Sequence, residues 1–410
     1  MPSPSLNYHH QGTRREVAPA DTLERLKPLL AQVGITRVAN ITGLDWIGVP
    51  VATAVRPASR SLVVSQGKGL SLVDAKVSAV MESIEMFHAE RPDIPVRVAS
   101  AGELAHEGRS VLDLARMPGR GEALDPRQVL LWTRGKDLGS GEEVFAPYGC
   151  MAIDDSLLGV PTPKGLASNS NGLASGNSRA EAIVHALCEV IERDASTLWR
   201  AAPPARREGT ALDLASVDDP GCRALLDRFE ACGIDVFAFE TTSDLGVPAY
   251  EVLIREKGCD PEREPFAAVG SGCHLWRGIA LSRALTEAAQ CRLTHIAGAR
   301  EDLEGQDYAD TAGRRAQTRQ YLQAAAGPRR PFRPAGDPAP DPSQSFSDSV
   351  EALLAALRRA GMDQVVAVDL TSVRFEIPVV KVLVPGLEGV DHEYGYVPKA
   401  RAVAAAAQGR

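Results

Sequence analysis

Three acidic side chains recur near the middle of the chain at a spacing that would place them on one side of a helix. The stretch SNSNGLASGNSRAEAIVHALCEVIERD begins as a small polar loop and continues as a helical pattern, which Asn177 or Ser178 can cap. At about 100° per residue, Glu181, Glu189 and Glu192 fall within an arc of roughly 80°, opposite the apolar stripe. The row indicates either a solvated helix face or one wall of a site that binds cations.

A second stretch, SAVMESIEMFHAE, carries the same arrangement. Ser78, Glu82 and Glu85 lie at i, i+4 and i+7, again opposite an apolar stripe. Two such rows would repel each other if they met in a closed site, and divalent cations would relieve the repulsion. Mg²⁺ suits carboxylate oxygens and usually binds a few of them together with water and substrate phosphates. The two rows therefore predict a magnesium–nucleotide site between helices, without a Walker loop.

Positive charges near these rows could face the phosphates. Arg193 follows Glu192 directly, and a guanidinium is a bidentate phosphate donor. Arg283, Glu287 and Gln290 repeat the i, i+4, i+7 spacing a third time, which makes Arg283 the arginine candidate of that segment. Two further arginines of the same segment remain open as alternatives, Arg292 and Arg300.

The two motifs together resemble a known signature. SxxxExxE followed by NxxxExxxxxxxExxER is similar to the ATP-binding signature of the YcaO family, and NGLASGNSRAEAIVHALCEVIERDA is close to the form this family shows. The resemblance extends from about Thr13 to Glu388, nearly the whole chain. It implies a YcaO-like fold of the α/β (α+β) class, in which mixed β-sheets pack with helices. It also implies that ATP and Mg²⁺ bind between the carboxylate-bearing helices.

The resemblance assigns roles to individual side chains. Arg15 and Thr22 match a basic residue and a hydroxyl that touch the nucleotide in the family, although Thr22 could equally be an ordinary helix cap beside an exposed arginine. The implied metal ligands are Glu82, Glu85, Glu181, Glu189 and Glu192. The implied nucleotide-binding residues are Arg15, Thr22, Ser78, Asn177, Arg193 and Arg283. The implied catalytic residues are Glu82, Glu189, Glu192 and Arg193.

Members of the family use ATP to activate a backbone amide of a peptide, which gives azolines, thioamides or amidines. A nucleophile, either external sulfide or a Cys, Ser or Thr side chain of the peptide, adds to the carbonyl, and the resulting oxyanion attacks the γ-phosphate. Azoline-forming members typically end in a PxPxP-like tail, which the end of this chain does not resemble. We therefore expect thioamide formation on a ribosomally made peptide.

Three other functions remain open alternatives. They are azoline formation by cyclodehydration, presentation of a peptide without ATP turnover, and assistance in thiolating a ribosomal protein. The expected partners are a precursor peptide and a TfuA-like protein or another sulfur donor. A homodimer is compatible with the resemblance, since dimers are common among relatives.

Composition narrows the class of protein. The 410 residues carry a formal net charge of −8, which argues against broad nucleic-acid binding. The absence of an 18-residue apolar run and of an apolar signal segment predicts a cytoplasmic protein that does not bind membranes. The seven cysteines are scattered without a CxxC pair, so reduced thiols are expected, and Cys150 is a weak candidate nucleophile.

The expected organisation has four parts. Residues 1–60 form an N-terminal segment, 61–325 the core with the ATP-binding motifs, 326–347 a proline-rich linker or loop, and 348–410 a helix and strand segment that completes the fold.

Several local features are predicted as well. Asp21 or Thr22 should cap a first helix, and residues 90–127 should form a surface excursion. The glycine-rich turn at Lys68 could cradle phosphate or simply join a strand to a helix. His185 could be a general base, could orient metal-bound water, or could be a surface histidine. Strands at 235–240, 249–255 and 266–270 are expected in a βα pattern.

Overall fold

The computed structural model describes residues 8–10, 12–118, 124–156, 165–166, 168–259, 267–303, 308, 311–334, 341, 343–390 and 396–407. The strands are β1 (Tyr8–His10), β2 (Thr13–Arg15), β3 (Arg37–Asn40), β4 (Val51–Val55), β5 (Val64–Lys68), β6 (Arg97–Ser100), β7 (Ser110–Val111), β8 (Val129–Asp137), β9 (Glu143–Pro147), β10 (Leu173–Ser175), β11 (Ile234–Glu240), β12 (Ala249–Glu256), β13 (Ala268–Cys273), β14 (Val366–Asp369) and β15 (Val379–Leu383). The α-helices are α1 (Pro19–Leu26), α2 (Leu72–Glu90), α3 (Ala101–His106), α4 (Arg179–Ala201), α5 (Pro204–Arg207), α6 (Pro220–Ala231), α7 (Arg277–Ala297), α8 (Thr311–Ala325), α9 (Phe346–Arg359) and α10 (Ala400–Ala407).

The described strands form four sheets. Strands β1 and β2 pair as a hairpin, and β3-β4-β5 and β11-β12-β13 are antiparallel three-stranded sheets. A seven-stranded sheet has the order β10-β15-β14-β8-β9-β7, with β6 paired to β8, and its β7–β9 pairing is parallel. The mixed α/β class predicted from the sequence is confirmed.

Three units, each a strand followed by the helix that packs against it, organise the molecule, and we call them strand–helix hairpins. The first hairpin is β5–α2, the second is β10–α4 and the third is β13–α7. Strand and helix approach closely because glycine lies between them: a Cβ on Gly67 would be 2.1 Å from the Ala79 nitrogen, and one on Gly270 would be 2.2 Å from the Ala288 nitrogen. The glycine before Lys68 is therefore explained by packing rather than by a phosphate-cradling loop.

Each helix also contacts the strand of the next hairpin, so that the three hairpins close into a ring. A glutamate of α2 accepts hydrogen bonds in β10, a thiol of α4 meets a thiol of β13, and an amide of α7 donates to a carbonyl of β5. The three contacts are Glu85 with Ser175 N at 2.7 Å, Cys188 with Cys273, and Gln290 Nε2 with Gln66 O at 3.1 Å.

The apolar stripes of the three helices face the sheets. Aliphatic side chains on these stripes are fully buried, and each such burial contributes about 2 kcal/mol relative to exposure. The buried side chains include Val80 and Ile84 on α2, Leu187 and Ile191 on α4, and Leu281 and Leu285 on α7. The polar row on the opposite side of each helix consequently points into the ring.

The first helix begins earlier than predicted. Its N-cap is Ala18 and Pro19 occupies the first turn, where the missing amide hydrogen of proline costs nothing. Asp21 and Thr22 therefore lie inside the helix and neither caps it. Thr22 is buried, and its hydroxyl is directed at α4 instead.

The prediction of a surface excursion over residues 90–127 was wrong for residues 90–118 and 124–127, and its residues 119–123 lie outside the described residues. This segment contributes β6, α3 and β7 to the seven-stranded sheet and its surroundings, and Leu104 and Leu112 are buried. Ser100 and Glu103 form a capping box, a helix-starting pattern that the surrounding prolines and charges obscured.

The three strands predicted at 235–240, 249–255 and 266–270 are observed as β11, β12 and β13, and they pair as an antiparallel meander. The predicted start of the last strand, Phe266, lies outside the described residues, and β13 begins at Ala268. The meander is covered by α6 and α7, whose apolar side chains share one buried cluster with it.

The four-part organisation stays a prediction, and the fold shows how the segments on either side of its boundaries pack. A boundary at residue 60 separates β4 from β5, although these strands pair directly. Within the proline-rich stretch, Phe332 is fully buried and its ring lies 6.1 Å from that of Tyr250, so this stretch contributes to the core. Residues 335–340 and 342 of the stretch lie outside the described residues. Strands β14 and β15 belong to the seven-stranded sheet.

Candidate active site

A cavity of about 1340 Å³ lies inside the ring of hairpins. The polar rows of α2, α4 and α7 line it, together with β2 and α1. The rows therefore face an internal space rather than bulk solvent. Of the two interpretations left open by the sequence, the solvated helix face was wrong. All eleven residues to which the family resemblance assigns a role line this cavity: Arg15, Thr22, Ser78, Glu82, Glu85, Asn177, Glu181, Glu189, Glu192, Arg193 and Arg283.

Four of the carboxylates crowd together in the cavity, two from α2 and two from α4. Burial, followed by the charges of neighbouring carboxylates, raises the pKa of Glu85 to about 8. Burial raises the pKa of Glu82 to about 7, against the opposing effect of nearby cations. The pKa values of Glu189 and Glu192 are also raised, chiefly by burial. Burial and the neighbouring carboxylates therefore disfavour the ionised form of these glutamates as long as no cation is bound among them.

Backbone amides of the strands hold several of these glutamates in place. Glu82 accepts a hydrogen bond from the backbone of Gln66, and Glu189 Oε1 accepts one from Gly172 N at 3.2 Å. Ser175 also donates its hydroxyl to Glu85 Oε1 at 2.6 Å. The carboxylates are thus oriented by the strands that pack against their helices.

The third hairpin adds one more glutamate with its own cation. Glu287 Oε1 accepts from Ser271 N at 3.2 Å, and Lys68 Nζ lies 2.8 Å from Glu287 Oε2. Burial alone would raise the pKa of Glu287, but Lys68 and Arg193 lower it to about 2. The helical spacing had already placed Glu287 on the polar row of α7, yet nothing in that spacing showed that Lys68 would pair with it.

Arg193 lies among the carboxylates. Its Nη1 is 3.5 Å from Glu192 Oε1. Burial disfavours the charge of Arg193, but the fields of Glu192, Glu287 and Glu189 outweigh it and raise the pKa. The guanidinium is therefore a fixed positive charge inside the cavity.

His185 faces the cavity on the same side of α4, so the surface-histidine interpretation was wrong. Arg283 Nη2 donates to His185 Nε2 at 3.4 Å. Burial and then the positive charge of Arg283 hold the pKa of His185 well below its ordinary value, which leaves the imidazole neutral. Arg283 Nε is buried and has no hydrogen-bond partner among the described residues.

A separate cluster forms where β2 and α1 meet the start of α4. Arg15 Nη1 lies 3.3 Å from Glu181 Oε1, and Glu16 N donates to Glu181 Oε2 at 3.0 Å. Thr22 Oγ1 donates to Asn177 Oδ1 at 2.9 Å. Glu181 therefore has an arginine and a backbone partner, in contrast to the crowded group of four carboxylates.

The sequence that contains these side chains matches a described family. A family model for YcaO cyclodehydratase, which is ATP- and Mg²⁺-binding, matches residues 66–388. The chain belongs to the YcaO family. The resemblance predicted from the two motifs is confirmed, and ATP and Mg²⁺, the expected cofactors, are those of the family.

Individual relatives agree with this assignment. A protein in the tfuA 3′ region of Rhizobium leguminosarum bv. trifolii is 34% identical over 387 residues, which cover 93% of this chain and 89% of the relative. The structure of YcaO from Methanopyrus kandleri bound with AMPPCP and Mg²⁺ has a TM-score of 0.75 at 23% identity, covering 97% of this chain and 98% of that one. A heterocyclase in complex with substrate and cofactor has a TM-score of 0.75 at 22% identity, and the match covers 94% of this chain but only 54% of that one. Both structural likenesses support the fold.

The donor set of this YcaO protein fits magnesium. Glu192 Oε2 is buried and accepts no hydrogen bond within the described residues, which leaves a free lone pair beside other carboxylates. Among those residues, no three His, Cys, Asp or Glu side chains form a group that could hold a metal ion by itself. An open set of hard oxygens suits a cation that keeps water and completes its coordination with phosphate.

The remaining candidates fall outside this group. Arg300 lines the cavity and pairs with Asp302, Nη2 to Oδ2 at 2.6 Å. Arg292 lies away from it and pairs with Glu256 at 2.9 Å. Cys150 is buried, which raises the pKa of its thiol to about 11, so its low reactivity is in line with the sequence analysis.

Two broad expectations can be compared with the fold. All seven cysteines are free of disulfide bonds, as expected. None of the described helices combines the length and apolar character needed to cross a bilayer.

Proposed function

We propose that this YcaO protein forms thioamides in a ribosomally made peptide by activating backbone amides with ATP. The observation that carries the proposal is the convergence of four crowded carboxylates from α2 and α4, with Arg193 and Arg283, on one cavity. Such a set of charges is suited to a nucleotide triphosphate and its metal ions.

The side chains divide the work as follows. Glu82, Glu85, Glu189 and Glu192 would hold Mg²⁺, which neutralises phosphate charge when bound. Arg193 and Arg283 would donate to phosphate oxygens, while Arg15, Thr22, Ser78 and Asn177 would bind the rest of the nucleotide. Glu181 would keep Arg15 oriented, in addition to the metal role that the motif assigns to it.

The amide oxygen of a peptide is a very poor leaving group, and its phosphorylation removes most of that difficulty. Sulfide would add to the amide carbonyl, the oxyanion would attack the γ-phosphate, and phosphate would then leave. The contribution of the protein is to position the reactants and to stabilise charge as it develops.

Sulfide as the nucleophile is supported by the relative in a tfuA region, which points to a TfuA-like companion as the source of sulfur. Azoline formation is the second candidate, because the family is described as a cyclodehydratase. In that case a Cys, Ser or Thr side chain of the peptide would be the nucleophile.

Reconstitution with a precursor peptide, a TfuA-like protein, sulfide, ATP and Mg²⁺ tests the proposal. We expect peptide-stimulated phosphate release and a peptide whose mass rises by the exchange of oxygen for sulfur. A mass that falls by one water would show azoline formation instead. No stimulated phosphate release would indicate a peptide-presenting scaffold, and modification of a ribosomal protein alone would indicate the accessory role.

A further inference from the structure

One edge of the third sheet borders the cavity. Strand β13 pairs with β12 and with no other described strand, so it forms an edge of that sheet. Ala267, Ala268 and Val269 all line the cavity, although successive side chains of an extended chain point to opposite faces. Three residues in a row can border one space only if the edge of the strand faces it.

The pairing register identifies the backbone groups that face this edge. In an antiparallel pair, only every second residue bonds to the neighbouring strand. His274 N donates to Pro248 O at 3.1 Å on the β12 side, whereas Ser271 N donates to the side chain of Glu287 at 3.2 Å. Even-numbered residues of β13 therefore bond to β12. Val269 lies two residues before Ser271, so its N–H and C=O also point away from β12 and toward the cavity.

The edge is closed at Ser271 and open at Val269. Glu287 holds the Ser271 amide through one carboxylate oxygen and pairs with Lys68 through the other, at 2.8 Å. Within the described residues, the Val269 amide has no such side-chain partner. An added strand would satisfy the N–H and the C=O of Val269 at once.

An apolar floor lies beside the open part of the edge. Val269 is directly opposite Leu253 in the register, so both side chains lie on one face of the sheet, which Ala267 shares. Gln317 and Thr318 of α8 also line the cavity, and Gln317 is exposed, so this end of the cavity is open to solvent. A residue paired with Val269 would direct its side chain onto the same face, where an apolar group fits.

We propose that the substrate peptide binds as an added strand on the edge of β13, paired with the backbone of Val269 and with an apolar side chain over Leu253. The inference rests on the proposed function, in which the substrate is the backbone amide of a peptide. Main-chain hydrogen bonds would hold an extended peptide, and the apolar floor would select the side chain. Because Ser271 is already occupied, the peptide must leave the strand beside Glu287 and Lys68, where the charged part of the cavity begins.

Hydrogen exchange of the Val269 amide in heavy water tests the proposal. The probe is the acetylated, amidated peptide Thr-Val-Thr-Val-Thr at millimolar concentration, because both residue types favour strands. The full chain carries isotope-labelled valine for NMR, and Val269→Ile assigns the signal. We expect fast exchange of this amide in the chain alone and about tenfold slower exchange with the peptide. The Val252 amide, which faces β13, is the internal control and should exchange slowly in both cases.

A backbone variant and a second peptide sharpen the test. Val269→Pro removes an N–H that the sheet does not use, so peptide affinity should fall about tenfold while ATP still binds with Mg²⁺. Val269→Ile keeps the amide and should bind the peptide as wild type does. The same peptide with every amide nitrogen methylated keeps its side chains but has no amide donors, and it should not protect Val269.

Three results would overturn the added strand, and all of them are measured on the wild-type chain. They are slow exchange of the Val269 amide before any peptide is present, no change in its exchange with the probe peptide, and equal protection by the methylated peptide. Failure of the proposed function would look different. The probe would protect Val269, yet no peptide would stimulate phosphate release or gain sulfur.

Discussion

Glu82 and Glu287 occupy equivalent places in the first and third hairpins, yet their surroundings shift their pKa values in opposite directions. Each accepts a hydrogen bond from its own strand, from Gln66 and Ser271 respectively, sixteen residues earlier in the chain. Burial raises the pKa of Glu82 to about 7, whereas Lys68 overcomes burial and brings the pKa of Glu287 down to about 2. Only the third hairpin has its glutamate paired directly with a lysine.

This difference suggests that the walls of the cavity have different roles. The wall formed by α7 is held by an ion pair within the protein, because Lys68 of the first hairpin reaches Glu287 of the third. The walls formed by α2 and α4 carry glutamates whose ionised form is disfavoured, chiefly by burial. A ligand that carries cations would complete those two walls, and the third would remain a fixed support.

The largest effect is expected when one carboxylate on the α2 and α4 walls is replaced by an uncharged amide. Glu192→Gln should lower ATP turnover by about 10²–10³-fold, because Oε2 of this carboxylate is the buried atom left without a partner. Thermal stability should not fall, since the substitution also removes repulsion. Phosphate release and a melting curve measure the two effects. Glu230→Gln, on the exposed face of α6, is the control, and an active Glu189→Gln/Glu192→Gln double variant would refute the metal assignment.

Removing the compensating charge should instead destabilise the protein. Lys68→Met leaves Glu287 with Arg193 as its main counter-charge, and we expect a loss of about 2 kcal/mol in the free energy of unfolding. The double variant Lys68→Met/Glu287→Gln should recover most of this loss. Urea denaturation of the wild type, both single variants and the double variant provides the cycle, and purely additive effects would contradict the pairing.

The pH dependence of stability should show the same contrast. The pKa values of Glu82 and Glu85 are raised above the ordinary value, so their contribution to stability is present below about pH 4.5 and is lost as pH rises through about 7 to 8. Glu287 contributes in the opposite sense and loses its contribution only as pH falls toward about 2. Melting temperatures without ligand should therefore decline between about pH 4.5 and about pH 8. Glu85→Gln should flatten the decline; an unchanged slope would argue against the crowding.

The smallest effect is expected at the N-terminal cluster. Thr22→Val removes the hydrogen bond from Oγ1 to Asn177, worth about 1 kcal/mol, so KM for ATP should rise about fivefold while kcat is retained. Thr36→Val, at an exposed threonine, should leave both parameters unchanged. A fall in kcat with constant KM would place Thr22 in the chemical step instead.

Much of the site was accessible from sequence because its signal is local. The i, i+4, i+7 spacing fixes which side chains share a helix face, and the apolar stripe fixes which face turns inward. For this reason Ser78, Glu85 and Glu189 were found without knowledge of the fold. The sequence did not show that Glu181 lies apart from the other carboxylates, because its position depends on Arg15, which is more than 160 residues away.

The errors share a physical origin. Whether His185 is exposed depends on α7 lying opposite α4, and the partner of Glu287 lies in a strand of another hairpin. Residues 90–127 looked like a loop because their strands are short and their proline content is high, yet pairing with β8 and β9 orders them. Local propensity carries no information about such long-range contacts.

The ring of hairpins has a consequence for how the protein is made. Strand β10 pairs only with β15 among the described strands, and β5 receives Gln290 from α7, so partners are separated by about 200 residues. During translation the ring of hairpins cannot close until the chain has been made past Gln290, and β10 gains its partner strand only after β15 has followed. Closure of the complete cavity is therefore a late event in the synthesis of the chain.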